Sequence, residues 1–150
     1  MNDDIREMLE RHGVTPSFHR MKIYEYLLTH RTHPSAEEIH MDIVREIPTL
    51  SKTTVYNTMK VFLAKGLVTA VTIEEDEVRY DAYTSFHAHF KCLACGKVYD
   101  IDKATSSPHA ESLAGRTIQG HRVTEVHLYL RGICRICAKG GLKKSNLKRI

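Results

Sequence analysis

The four cysteines of this 150-residue chain fall into two pairs, Cys92-Leu-Ala-Cys95 and Cys134-Arg-Ile-Cys137, with the 38 residues from Gly96 to Ile133 between them. Each CxxC pair turns two thiolates toward one point, and two pairs supply the four soft donors of a tetrahedral zinc site. A pair of disulfides or redox dithiols is the other chemistry open to such spacing. Nothing in the sequence points to secretion, however, and a thioredoxin-like motif is not expected twice in one chain. The sequence therefore predicts a structural Zn2+ held by Cys92, Cys95, Cys134 and Cys137. The gap is longer than in a simple zinc ribbon, so the intervening loop must carry structure of its own.

A second group of donors contains no sulfur. The chain has 10 histidines, the side chain most often used as a metal ligand. In a strand, alternate residues share a face, so His87 and His89 project to the same side. An isolated HxH is more often a pair of ordinary surface or core histidines. Here the pair immediately precedes a cysteine knuckle and Asp100 follows that knuckle, which adds weight to a metal reading. Asp81 ends the expected wing strand just before the expected domain boundary and His33 lies on the approach to the third helix, so both could reach a cleft between domains.

Asp3 to His12 and Pro16 to His30 have helical patterning, the second with Thr15 as N-cap, Pro16 at the first helical position and Ile23, Tyr26 and Leu27 as its inward stripe. Ser35-Ala36-Glu37-Glu38 forms a capping box that opens a third helix through Ile39, Ile43 and Val44, ending near Ile47-Pro48. Ser51 caps a fourth, with Val55, Met59, Phe62 and Leu63 inward and Gly66 as its stop. Leu67 to Ile73 and Val78 to Ala82 are β-branched and joined by the acidic turn Glu74-Glu75-Asp76, as expected of a hairpin. Past Tyr83-Thr84-Ser85 the texture changes to short strands around the cysteines, with alternation in Val126 to Leu130 and helical spacing over His109 to Thr117. The expected fold class is α+β, an N-terminal winged helix-turn-helix domain over residues 1–83 and a C-terminal α/β domain with structural zinc over residues 84–150.

Winged helices read DNA by laying one helix in the major groove, which requires a polar face without acids. Thr53, Tyr56, Asn57 and Lys60 recur at helical spacing along the fourth helix, and between Ser51 and Lys65 there are lysines but no carboxylate. An ordinary amphipathic surface helix has the same pattern, and acidic and basic residues balance over the first 66 positions, so DNA binding would depend on placement. Lys52, Lys60 and Arg20 are candidate phosphate contacts, and Thr53 and Tyr56 candidates for thymine methyls or phosphates. Much of the formal net charge of +4 sits in a tail containing Lys139, Lys143, Lys144, Lys148 and Arg149. That tail reads first as a solvated extension. With hydrophobic residues at 42% and charged residues at 27%, a collagenous or wholly disordered chain is excluded. No run suits a membrane helix and the N-terminus lacks the order of a signal peptide, so a cytoplasmic protein is expected.

The chain resembles the ferric-uptake-regulator family of metal-dependent repressors. The resemblance spans nearly the whole chain and rests on His33-Pro-Ser-Ala-Glu-Glu-Ile39, Leu50-Ser-Lys-Thr-Thr-Val-Tyr-Asn57, Lys65-Gly-Leu-Val68, Arg79-Tyr-Asp81, His87-Ala-His89, Cys92-Leu-Ala-Cys95-Gly-Lys97 and Gly132-Ile-Cys-Arg-Ile-Cys137. It implies a homodimer on a pseudo-palindromic duplex operator, no membrane association, and a regulatory metal between domains. Carried over residue by residue, the regulatory ligands are His33, Asp81, His87, His89 and Asp100, which match the peroxide-sensing branch. The aspartate at position 100 supports that branch, since the iron-responsive branch usually has glutamate there. A further sensory site found in some relatives would need histidine or aspartate near Phe86 and Ala88; it is not assigned, and His121, His127 and Glu111 read as remnants of it or as unrelated residues.

Three imidazoles and two carboxylates suit Fe2+ or Mn2+, and also Zn2+, so geometry and supply must select the ion. The expected function is a metal-dependent repressor of peroxide-stress or metal-homeostasis genes, with an iron- or zinc-uptake repressor as the alternative within the family. A metal-dependent hydrolase stands as a distant alternative. Five protein ligands leave little room for substrate, and HExxH is absent, so no catalytic residue is assigned.

Overall fold

The computed structural model describes residues 2–73, 76–102 and 109–140, which form two compact units, Met1–Thr84 and Ser85–Ile150. Glu74 and Glu75 of the acidic turn and Lys143, Lys144, Lys148 and Arg149 of the basic tail lie outside the described residues.

The first unit is built on four helices and a hairpin. Helix α1 (Asn2–Arg11) has Asp3 and Asp4 in its first turn and Arg11 in its last, the arrangement that complements the helix dipole. It buries Ile5 and Leu9. Helix α2 spans Phe18–Thr29 and begins later than expected. Its N-cap is Ser17, whose hydroxyl accepts from the Arg20 N–H, whereas the Thr15 carbonyl accepts from the Arg20 guanidinium at 2.8 Å. Thr15 therefore serves the preceding loop, because a serine nearer the helix was better placed to satisfy the orphan amides.

Helix α3 (Ala36–Ile43) opens with the expected capping box, Ser35 and Glu38 each satisfying the other's backbone N–H. It closes at Ile43, earlier than Ile47-Pro48, because the chain continues as turns in which Glu46 and Ile47 N–H both reach the Ile43 carbonyl. The His40 Nε2–H donates to the Leu50 carbonyl at 3.1 Å, tying α3 to the turn before helix α4 (Lys52–Ala64). Ser51 caps α4 through the Thr54 N–H. Gly66 ends it at φ +68, a left-handed conformation that glycine adopts without a Cβ penalty.

Leu9, Ile23, Ile39, Val55, Met59, Phe62 and Leu67 form the centre of the core, with the Tyr24 ring edge-on to Phe62 at 5.7 Å. Leu63 is only half-buried at the rim of that cluster. Strands β1 (Thr69–Val71) and β2 (Arg79–Asp81) pair antiparallel in the register Thr69↔Asp81, Ala70↔Tyr80, Val71↔Arg79. The ladder is shorter than the β-branched runs, yet Leu67, Val68 and Ile73 beside it stay buried.

The second unit is built on a three-stranded sheet. β3 (Ala88–Cys92) pairs antiparallel with β4 (Val98–Ile101) and parallel with β7 (Tyr129–Gly132). A parallel pair requires a long crossover, which accounts for the distance between the two CxxC motifs. The described part of that crossover holds a 3₁₀ turn at Glu111–Leu113 and a ribbon of β5 (Thr117–Ile118) and β6 (His121–Arg122). The helix expected over His109 to Thr117 is absent. Gly115, at φ +78, breaks it, and its N–H bonds the Val123 carbonyl instead. The expected strand over Val126 to Leu130 begins only at Tyr129 and continues to Gly132. Helix α5 (Arg135–Lys139) follows directly. Buried hydrophobic residues of this unit are few among those described: Ala88, Cys92, Val98 and Cys134. No helix among the described residues is long and apolar enough to cross a membrane.

Candidate metal centres and recognition helix

The cysteine site is assembled by local geometry at one end of the β3–β7 ladder, where Cys92 pairs with Gly132 and both strands finish. Cys92 closes β3 and Cys95 sits in the turn to β4, where Gly96 adopts φ +72 and donates its N–H to the Cys92 carbonyl at 2.9 Å. Cys134 caps α5, and Cys137 lies in its first turn with its N–H on the Cys134 sulfur at 3.5 Å. The Cys134 N–H in turn donates to the Cys92 sulfur at 3.2 Å. All four sulfurs lie within 4.8 Å of one another, and all four are free thiols; Cys95 and Cys134 Sγ are 3.9 Å apart, far beyond a disulfide bond.

The electrostatics fit a dication. The backbone N–H of Cys137, aided by the Tyr99 side chain, holds the Cys134 thiol down to about 6. Burial works against ionisation of Cys92, but the amides of Cys134, Cys95 and Ala94 outweigh it and lower this thiol too. Cys137 is driven the other way, up to about 12, chiefly by its hydrogen bond with the Cys134 sulfur. Four thiolates at such distances repel one another, and a divalent cation is what lets all of them ionise. The set fits structural zinc.

The sulfur-free donors lie in both units. In the first, His33 and Asp81 are buried, with His33 Nε2 3.8 Å from Asp81 Oδ2. Asp81 Oδ1 accepts the Tyr83 N–H at 2.7 Å, which orients the carboxylate. His33 occupies φ +53, an uncommon conformation for a residue other than glycine. In the second unit His87, His89 and Asp100 converge. His89 stands directly opposite Asp100 in the β3–β4 register, and the two imidazole rings lie 4.4 Å apart. Asp100 Oδ1 is 3.2 Å from His87 Nε2 and 3.9 Å from His89 Nε2.

His87 Nδ1–H donates to the Ser85 carbonyl at 2.8 Å. In the neutral ring that bond fixes the tautomer, and Nε2 then turns a lone pair toward a carboxylate oxygen. Two electron-rich atoms at such a distance require a proton or a metal ion between them. The imidazole and carboxylate donors fit Fe2+ or Mn2+.

On α4, Thr53, Tyr56, Asn57 and Lys60 are all exposed, while Val55, Thr58, Met59 and Phe62 face the core. The face is polar and bears no acid. Lys52 is paired with Glu37 of α3, so a phosphate contact would compete with that carboxylate. Arg20 is half-buried, with its guanidinium on the Thr15 carbonyl. Arg79 has no role in the sequence-based expectation and Glu38 only that of capping α3, although both fall within the motifs that carry the family resemblance. Arg79 Nη1 donates to the His33 carbonyl and to Glu38 Oε2, each at 3.1 Å. Partners so far apart in sequence leave no spacing signal.

A winged helix-turn-helix unit followed by a cysteine-clamped sheet bearing histidine and aspartate donors defines a metal-responsive DNA-binding architecture. Residues 11–130 match the ferric uptake regulator family, and the chain belongs to that family. It is 35% identical over 133 residues to the peroxide operon regulator of Bacillus subtilis (strain 168), covering 89% of this chain and 90% of the relative. It is 31% identical over 133 residues to the peroxide-responsive repressor PerR of Staphylococcus epidermidis (strain ATCC 12228 / FDA PCI 1200), covering 89% and 87%. Among solved structures, the Vibrio cholerae ferric uptake regulator superposes with a TM-score of 0.66 at 28% identity, covering 86% of this chain and 98% of that one. The chain is thus a metal-dependent, DNA-binding transcriptional regulator.

Proposed function

We propose that this protein is a peroxide-responsive repressor that binds a pseudo-palindromic operator as a homodimer in the cytoplasm and has no catalytic role. In this reading residues 1–83 are the DNA-binding domain and residues 84–150 the dimerisation domain. Cys92, Cys95, Cys134 and Cys137 hold structural zinc. His33 and Asp81 from one domain, with His87, His89 and Asp100 from the other, hold one regulatory Fe2+ or Mn2+. Arg20, Lys52, Thr53, Tyr56, Asn57 and Lys60 meet the duplex.

The observation that carries the reading is the donor set of the second unit: Asp100 aligned with two imidazoles, one of them tautomerically fixed, with no sulfur among them. Similarity to two peroxide regulators supports the same branch. Ligands drawn from two domains gain their full binding energy in one relative arrangement only, so occupancy shifts the population toward it, and that arrangement is the one that grips DNA.

Bound Fe2+ would supply a one-electron reductant for peroxide, which Mn2+ does not supply as readily. The chain's contribution is to hold the His33 and His87 rings as ligands, where each is exposed to oxidation and can no longer coordinate once it has gained oxygen. The test is operator binding by fluorescence anisotropy, followed by mass spectrometry, after peroxide treatment with Fe2+ or with Mn2+. Release of DNA with one oxygen atom added to His33 or His87 is expected with Fe2+ alone. Unmodified histidines under both metals reject peroxide sensing and leave an iron- or zinc-uptake repressor.

The recognition face is tested separately. Tyr56→Ala should weaken operator binding while both metals stay bound. Lys60→Ala, removing one phosphate contact, should reduce the slope of log affinity against log salt by about 1. Unchanged anisotropy curves for both variants would move the interface off α4.

A further inference from the structure

The turn that carries His33 is stitched to the strand that carries Asp81. Ser35 and Arg79 form an antiparallel bridge, and the Tyr80 N–H donates to the Pro34 carbonyl at 3.0 Å. The Arg79 side chain, only 17% exposed, adds a second layer. Its Nη1 donates to the His33 carbonyl and to Glu38 Oε2, each at 3.1 Å, and its Nη2 lies 3.2 Å from Glu77 Oε2. The same Glu38 oxygen accepts the Ser35 N–H at 2.9 Å, which is half of the capping box that starts α3. One guanidinium therefore joins the wing strand, the first turn of the helix-turn-helix and the backbone of His33.

The held group is a strained one. His33 stands at φ +53 with its imidazole buried and Nε2 3.8 Å from Asp81. A non-glycine residue persists in the left-handed region only where its surroundings over-determine it. Fixing the His33 carbonyl fixes the plane of the His33–Pro34 peptide. Rotation of φ toward negative values would swing Cβ, and the ring with it, away from Asp81.

We infer that Arg79 is a positioning residue for the regulatory metal, holding His33 through its backbone carbonyl in the conformation that aims the imidazole at Asp81. The inference rests on the reading of His33 and Asp81 as metal ligands. It also makes Glu38 a participant, since that carboxylate anchors the guanidinium and the start of α3 at once. Planarity matters here: a guanidinium fork spans two acceptors and a third, whereas a lysine ammonium on a flexible stem does not reproduce that geometry.

The experiment uses the full chain with its zinc in place and Mn2+ as the probe. Mn2+ affinity is measured by the paramagnetic resonance of the free ion for wild type, Arg79→Lys, Glu38→Gln and His33→Ala. Melting temperature and zinc content are followed in parallel, together with the imidazole NMR resonances of His33 before Mn2+ is added. Arg79→Lys should weaken Mn2+ binding by roughly 10–100-fold, the usual scale for a residue that orients a ligand. Zinc content should be unchanged, and the His33 resonances should shift already in the Mn2+-free protein.

If Arg79→Lys lowers the melting temperature substantially, Glu38→Gln decides the matter, because glutamine still accepts from the Ser35 N–H. A drop in Mn2+ affinity with shifted His33 resonances supports the proposal, and wild-type behaviour overturns it. Wild-type affinity in Arg79→Lys alongside loss of binding in His33→Ala overturns the positioning role alone. Wild-type affinity in His33→Ala removes the metal reading itself, and the proposal with it.

Discussion

Cys134→Ala should abolish zinc retention and unfold the second unit while leaving the helices of the first intact. The expected effect is large because the second unit has so little else to hold it. Its described buried hydrophobic residues are Ala88, Cys92, Val98 and Cys134, half of them members of the four-cysteine cluster, against the continuous cluster around Phe62 in the first unit. Structural zinc contributes about 10–16 kcal/mol of apparent binding free energy at neutral pH, and in small domains that binding energy is folding energy. Cys134 is also the N-cap of α5, and its N–H supports the Cys92 sulfur, so its loss disturbs two thiolates.

Zinc content by mass spectrometry, with far- and near-ultraviolet circular dichroism, would show a zinc-free protein that keeps most of its helical signal. A zinc-free variant with an unchanged β-sheet signal would refute the clamp. The pH dependence has a definite sign. The metal-free site keeps a proton on Cys137, pushed up to about 12, and zinc must displace it. Acid therefore favours the protonated, metal-free form, and zinc is released as pH falls.

Much of this arrangement is legible in sequence where the determinant is local. CxxC spacing, the Ser35–Glu38 capping box, the Ser51 cap and the inward stripe of α4 each depend on residues a few positions apart, and they appear where expected except for Leu63, which is only half-buried. Competing local signals were harder to rank. Thr15-Pro16 suits a helix start, but Ser17 is the cap of α2 because its hydroxyl reaches the Arg20 amide. The spacing over His109 to Thr117 looked helical, but Gly115 and the pairing of its amide with Val123 favour a turn and a ribbon. The parallel pairing of β3 with β7 and the Arg79–His33 contact are products of topology, which no spacing rule encodes.

The regulatory ligands set the second large expectation. Asp100→Asn should lower Mn2+ affinity by more than roughly 100-fold, since residues that only orient ligands already carry about 10–100-fold. The substitution is nearly isosteric, so the β3–β4 register opposite His89 should survive. Its effect is chemical. It removes the negative charge facing His87 Nε2 at 3.2 Å, and the amide can present N–H groups to that imidazole lone pair. A hydrogen bond then replaces the cation that the wild-type pair requires and stabilises the metal-free state.

Through linkage the same change should erase the gain in operator affinity that metal confers, a coupling expected at roughly 5–150-fold. Anisotropy titrations with and without Mn2+ would then superimpose for Asp100→Asn, both matching the metal-free wild-type curve, while zinc content stays normal. A variant that still bound the operator in a Mn2+-dependent way at wild-type strength would place the sensing ion elsewhere, because Asp100 is the carboxylate that stands opposite His89 in the β3–β4 register and faces both imidazoles.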